Sequence, residues 1–533
     1  MKLKTSLLAA SAMMAMLAGG VNAKTLIYCS EGSPEGFDPA PYTAGTTFDA
    51  AARTVYSRLV EFAPGTTSIV PGLAESWTIS EDGLEYTFKL RAGVKFQTTD
   101  YFTPTRDLNA DDVIFSFDRQ GNADNPFNQY VAGISYEYYT SMGLDTMIKS
   151  MEKVDDLTVK FTLNAPNAPF LADLGMDFAS IVSKEYADTL MAAGKGADFN
   201  NQPVGTGPFV FVAYQKDAVI RYKANPDYFG TKPMVDDLVF AITTDAAVRA
   251  QKLKAGECHV MPYPAPADIE ALKADPNLTV MEQAGLNVAY LAYNTLQKPF
   301  DDPHVRKALN MAIDKQAIID AVFQGTGIVA KNPIPPTMWS YNDAVKDDAY
   351  DPDAAKKMLA DAGVSDLHMN IWAMPVQRPY MPNARRTAEL MQADLARIGV
   401  TAEIVSYEWG EYLKKSTELD RDGAVILGWT GDNGDPDNFM NVLLSCQAAG
   451  EGGANRSHWC NEEFSDLLAK AALASDIDER TRLYEQAQVI FKDQAPWLTI
   501  DHSTVFMPMS TKVTGYVMNP LGTHAFDTVD IAE

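Results

Sequence analysis

The 533-residue chain is poor in the side chains that most chemistry requires, with six histidines and four cysteines. No two of the histidines (His259, His304, His368, His458, His502, His524) lie within five residues of each other. The sequence therefore offers no local metal cluster, and each histidine is expected at the surface or at the end of an element. His-Glu-x-x-His, the Gly-x-Ser-x-Gly elbow, the Walker phosphate loop and Gly-x-Gly-x-x-Gly are all missing. Ser150-Met-Glu-Lys153 fits Ser-x-x-Lys, but two fixed positions in so long a chain are expected by chance, and no Lys-Thr-Gly accompanies them. No apolar run reaches the roughly 20 residues that cross a bilayer. Positive charge is scarce too: 44 Lys and Arg against 70 Asp and Glu leave −26, which speaks against nucleic-acid binding through phosphates. The chain reads as a non-enzyme with neither metal nor cofactor.

Apolar residues are plentiful at 46%; they can bury a large core, and the length suits two or three lobes. Residues 1–23 combine Lys2 and Lys4, an apolar run from Leu7 to Leu17 and the small-residue end Val21-Asn22-Ala23. This is the pattern of a secretory signal peptide removed after Ala23, and it makes the mature protein an exported one. An even number of cysteines in an exported chain reads as two disulfides, with three pairings open among Cys29, Cys258, Cys446 and Cys460. Cys446 and Cys460 flank a loop containing Gly450, Gly452 and Gly453 and are expected to pair. Closing that loop contributes roughly 3 kcal/mol in the chain-entropy model, against about 5 for Cys29 with Cys258. A metal site from Cys446, His458 and Cys460 would lack Cys-x-x-Cys spacing and a fourth ligand.

Apolar and polar residues alternate at Leu84, Tyr86, Phe88 and Leu90, at Val159, Phe161 and Leu163, at Leu238, Phe240 and Ile242, and at Val288, Tyr290 and Ala292. Each stretch predicts a half-buried strand, and the first 290 residues read as strand-rich. From Pro303 the period becomes helical, with Val305, Leu309, Ala312 and Ile313 on one stripe. Arg385 to Ile398 predicts a helix stopped by Gly399, with a strand through Val400, Ala402 and Ile404 directly after it. A last helix is expected from Asp478 to about Lys492, and a strand over Trp497 to Ile500. Helix–strand units of this kind predict an α/β fold with a partly parallel sheet, whose ligands sit off the carboxyl ends of the strands. The run from Gly431 to Asn438 is acidic but has Gly and Pro where a calcium loop needs ligands, so composition alone makes it a solvated turn.

Several longer stretches resemble the peptide-binding receptors of ABC importers, the peptide/nickel family of extracellular solute-binding proteins. They are Pro71-Gly-Leu-Ala-Glu-Ser-Trp77, Tyr86-Thr-Phe-Lys-Leu-Arg-Ala-Gly-Val-Lys-Phe96, Leu108-Asn-Ala-Asp-Asp-Val113, Pro203-Val-Gly-Thr-Gly-Pro-Phe209, Asn225-Pro-Asp-Tyr228 and Val305-Arg-Lys-Ala-Leu309. Tyr28-Cys-Ser-Glu-Gly-Ser-Pro-Glu-Gly-Phe37, Trp372-Ala-Met-Pro-Val-Gln-Arg-Pro-Tyr380 and Gly428-Trp-Thr-Gly-Asp-Asn-Gly-Asp-Pro-Asp-Asn-Phe439 look most like its dipeptide-binding members. The resemblance implies a two-lobed periplasmic binding protein fold of type II, in the large subclass with an extra N-terminal subdomain, with mixed sheets and flanking helices. Residues 24–283 would form lobe I with its inserted subdomain, 284–502 lobe II, and 503–533 a return to lobe I.

It also implies a monomeric periplasmic protein that hands a dipeptide to an inner-membrane permease and its ATPase. A dipeptide is a zwitterion, so its receptor needs one buried anion and one buried cation. By resemblance, Asp432 would accept the ammonium and Arg378 the carboxylate, in a two-point guanidinium bond. Thr43, Ala44 and Gly45 would offer main-chain hydrogen bonds, Pro379 and Tyr380 would shape the carboxylate end, and Trp429 and Trp409 would border the side-chain space. A ligand lacking either charge would leave Asp432 or Arg378 buried and unpaired. Receptors for longer peptides, nickel or haem share the family, but Gln377-Arg-Pro-Tyr380 favours dipeptides. A secreted peptide hydrolase is the reading from another class.

Overall fold

A computed structural model describes residues 23–532, so the expected signal peptide lies outside the described residues except for Ala23. Three sheets organise the chain. The first has the order Thr25–Tyr28, Asp237–Ala241, Val219–Ala224, Phe209–Gln215, with only the first pair parallel. The second is an antiparallel sheet inserted between the strands of the first in sequence, Ala74–Ile79, Glu85–Leu90, Thr158–Leu163, Ile148–Asp155. The third has seven strands, six of them in the order Leu278–Ala284, Trp497–Ser510, Asn287–Tyr293, Ala424–Thr430, His368–Trp372, Thr401–Val405, while Gly327–Val329 adds to Trp497–Ser510. Its last three strands are parallel, and the helix Ala384–Arg397 connects two of them, as the periodicity there predicts.

The strand Trp497–Ser510 links the third sheet to the first. Its first residues pair with Asn287–Tyr293, its last with Leu278–Ala284, and Val260 bridges it at Met509 to Tyr28 of the first sheet. The disulfide between Cys29 and Cys258 fastens the same corner, and the second joins Cys446 to Cys460.

Four expectations need correcting. The alternation at Val288, Tyr290 and Ala292 predicts one wet face, yet every residue of Asn287–Tyr293 is buried. It is a central strand, and even its tyrosines pack inward: Tyr290 stacks on Trp497 at 3.9 Å and Tyr293 donates to Asn310 at 2.8 Å. The first 290 residues also hold real helices, Ala110–Gly121, Lys184–Ala192 and Ala246–Ala255. The first of these opens on a capping box, in which Asn109 accepts the N–H of Asp111 and Asp112 accepts that of Asn109, each at 3.0 Å. His458, His502 and His524 are buried, not at the surface; burial pushes His502 down to about 4 and His524 to about 3. The acidic run is no solvated turn either, because Asn433, Asp437 and Asn438 are buried.

Candidate functional site

The parallel strands His368–Trp372 and Ala424–Thr430 are neighbours, and the loops leaving their carboxyl ends carry Arg378 and Asp432. A parallel sheet presents its ligand-facing loops at this edge. Arg378 opens a tight turn in which its N–H and C=O both bond Met381, at 3.2 and 3.0 Å. Ser503 of the crossing strand donates to the Pro379 carbonyl at 2.7 Å and anchors the turn. The Tyr380 ring lies over Gly428, where a Cβ would come within 2.2 Å of it; only glycine lets the turn sit this close to the strand.

Arg378 is 5% exposed. It donates from Nη1 to Glu31 Oε1 at 3.0 Å and to the Gln377 carbonyl at 3.2 Å, and it stacks over Trp409 at 5.0 Å. Its Nη2 is buried without a partner among the described residues. Sequence reasoning leaves the arginine alone until a ligand arrives; the structure supplies an internal carboxylate and leaves one donor open.

Asp432 keeps part of its surface open. Its N–H donates to Asn438 Oδ1 at 2.8 Å, and the same oxygen accepts the Trp429 indole N–H at 3.0 Å. The Asp432 carboxylate accepts from the Tyr138 hydroxyl at 2.7 Å. Burial pushes its pKa up to about 7, against the pull of the bonds from Tyr138 and Asn438.

These groups face one cavity. Thr43, Ala44, Gly45, Arg378, Pro379, Tyr380, Trp429 and Asp432 all line it, as does Trp409. The Ala44 carbonyl is already taken by the N–H groups of Thr47 and Phe48, and a Cβ on Gly45 would meet nothing within 4 Å. The cavity is thus walled by segments more than 300 residues apart in the chain, and a carboxylate and a guanidinium face it together with seven aromatic rings.

The model of the bacterial extracellular solute-binding proteins, family 5, matches residues 68–451. The chain belongs to this family. The dipeptide-binding protein of Escherichia coli is 58% identical over 516 residues, 97% of this chain and 96% of its own length. Di/tripeptide-binding protein 1 of Pseudomonas aeruginosa is 53% identical over 513 residues, 96% and 95% of the two chains. Among solved structures, the dipeptide-binding protein of a Pseudoalteromonas species in complex with Met-Leu superposes with a TM-score of 0.91 at 40% identity, covering 96% of this chain and all of that one. The two-lobed architecture expected from the motifs is the fold of these family members.

Other members of the wall escape sequence reasoning. Tyr138 and Tyr263, Arg456, and the stretch Leu521-Gly522-Thr523 line the same cavity. Arg456 lies inside the Cys446 to Cys460 loop and pairs with Glu137 at 2.6 Å, so a disulfide that reads as a stability device also fixes a cavity wall. Tyr138 belongs to the aromatic run Tyr136-Glu-Tyr-Tyr139, a signal that points equally to core packing.

Proposed function

We propose that this family 5 protein is a periplasmic receptor that captures dipeptides as zwitterions and presents them to an ABC permease and its ATPase for import. The observation that carries the reading is the pairing, in one cavity, of the Asp432 carboxylate with a guanidinium at Arg378 whose Nη2 has no partner among the described residues. Asp432 takes the ligand's ammonium and Arg378 its terminal carboxylate. The backbone at Thr43, Ala44 and Gly45 offers N–H donors to the peptide from the opposite wall, and Pro379, Tyr380 and Trp429 confine it. A charge pair at 4 Å contributes about 1 kcal/mol in water and about 4 at an effective dielectric of 20, so drying the cavity strengthens both contacts. Closure of the two lobes, 24–283 with 503–533 against 284–502, is therefore coupled to binding.

The relatives named above are receptors for di- and tripeptides, which supports the ligand class, and a receptor of this kind has no catalytic step. The test is calorimetry of stripped protein with Ala-Ala. Arg378→Ala and Asp432→Ala should each weaken binding by a few hundred-fold or more, the usual result of truncating one partner of a buried charge pair, with the folded signal by circular dichroism retained. Unchanged affinity in either variant overturns the assignment, and release of free alanine overturns the receptor reading in favour of a hydrolase.

A further inference from the structure

Glu31 occupies the place at Arg378 that a ligand's carboxylate would otherwise have to itself. Its Oε1 is 3.0 Å from Arg378 Nη1, and the two side chains are 2% and 6% exposed. Glu31 does not line the cavity; it lies behind the guanidinium, two residues from Cys29, whose disulfide to Cys258 ties this segment down. The Cys29 N–H bonds the Val260 carbonyl, and Ser30 Oγ bonds the Gly32 carbonyl across Glu31, so the carboxylate is held in place by backbone on both sides. A second guanidinium, Arg249, feels the same carboxylate. Its hydrogen bonds all go to neutral acceptors, the Gln377 side chain at 3.0 Å and the carbonyls of Thr243, Thr244, Pro262 and Tyr263.

The two ends of the cavity are therefore unequal. Asp432 has only a neutral hydroxyl and amide groups as hydrogen-bond partners among the described residues, so a ligand ammonium is the first cation to bond it. Arg378 already has an anion, so a ligand carboxylate arriving at Nη2 meets a half-neutralised guanidinium and a like charge behind it.

We propose that Glu31 is a built-in counter-ion that sets how strongly Arg378 grips the ligand's carboxylate, which makes the receptor read the amino end of a peptide more stringently than its carboxyl end. Glu31 acts through Arg378, as a positioning residue. The inference rests on the dipeptide reading above.

Calorimetry of the full chain with three ligands tests it: Ala-Ala, Ala-Ala amide, which lacks the carboxylate, and propionyl-Ala, which lacks only the amino group. In the wild type, loss of the amino group should weaken binding by about tenfold more than amidation does. Glu31→Gln keeps an acceptor for Nη1 and removes the charge. It should tighten Ala-Ala by about tenfold and leave the amide within about threefold, which widens the ratio of the two, whereas Glu31→Asp should restore the wild-type ratio. A merely structural role would shift both ligands together, and an unchanged ratio in Glu31→Gln overturns the proposal. Should that variant fail to fold, the wild type decides alone: amidation costing as much as loss of the amino group overturns it. A wild type that binds no Ala-Ala refutes the dipeptide reading itself, and does so before any variant is made.

Discussion

Asp432 answers to two opposed demands. Burial favours its protonated form and lifts its pKa to about 7, so its contribution to the stability of the fold is full below the ordinary carboxylate value near 4 and is lost as pH rises through 7. A bound ammonium requires the anion. Dipeptide affinity should accordingly fall as pH drops below about 7, approaching tenfold per unit, when calorimetry is run between pH 5 and 8. Tyr138→Phe removes a bond that holds this pKa down, so it should move the inflection to higher pH, and Asp432→Asn should flatten the profile of whatever binding remains. A wild-type affinity constant across that range contradicts the assignment. At this scale the sequence was legible where a residue sits within a long motif, as Arg378 and Asp432 do. It was not legible for Glu31 and Tyr138, whose partners lie 347 and 294 residues away, because such pairings exist only after folding.

The elements that place these residues are held by buried polar contacts as well as by apolar packing. Arg119, on the helix Ala110–Gly121, holds Asp38 with two bonds of 2.6 and 2.7 Å, and Tyr130 adds a third at 2.7 Å. Neither charged side chain is exposed. The pair pins the segment that leads into Thr43 against the helix. Asp38→Ala would strand a guanidinium in the interior and should lower stability by about 3–5 kcal/mol, measured by urea unfolding; a loss below about 1 kcal/mol would show that water reaches the site. Periodicity found the parallel units well, because Arg385 to Ile398 and the strand after it each bury one clear face. It failed for Ala110–Gly121, whose start is written in the cap residues Asn109 and Asp112, and it misjudged Asn287–Tyr293, since alternation cannot report that the second face is covered as well.

On the scale of the whole molecule, polar contacts from residues before 284 converge on residues 378–456: Glu31 with Arg378, Tyr138 with Asp432, Asp173 with Asn433 at 2.9 Å and Glu137 with Arg456 at 2.6 Å. The C-terminal stretch reaches there too, because Asp49 accepts the His524 N–H at 2.7 Å beside the cavity residue Thr523. Composition and periodicity reach the α/β class. They cannot reach this convergence, which depends on how sheets far apart in sequence are packed. The most direct measurement of the central claim is a crystal structure of the protein with Ala-Ala in the cavity. The expected result is an ammonium within hydrogen-bond distance of the Asp432 carboxylate and a carboxylate on Nη2 of Arg378. Electron density for the dipeptide with either of its ends turned away from those two side chains would contradict it.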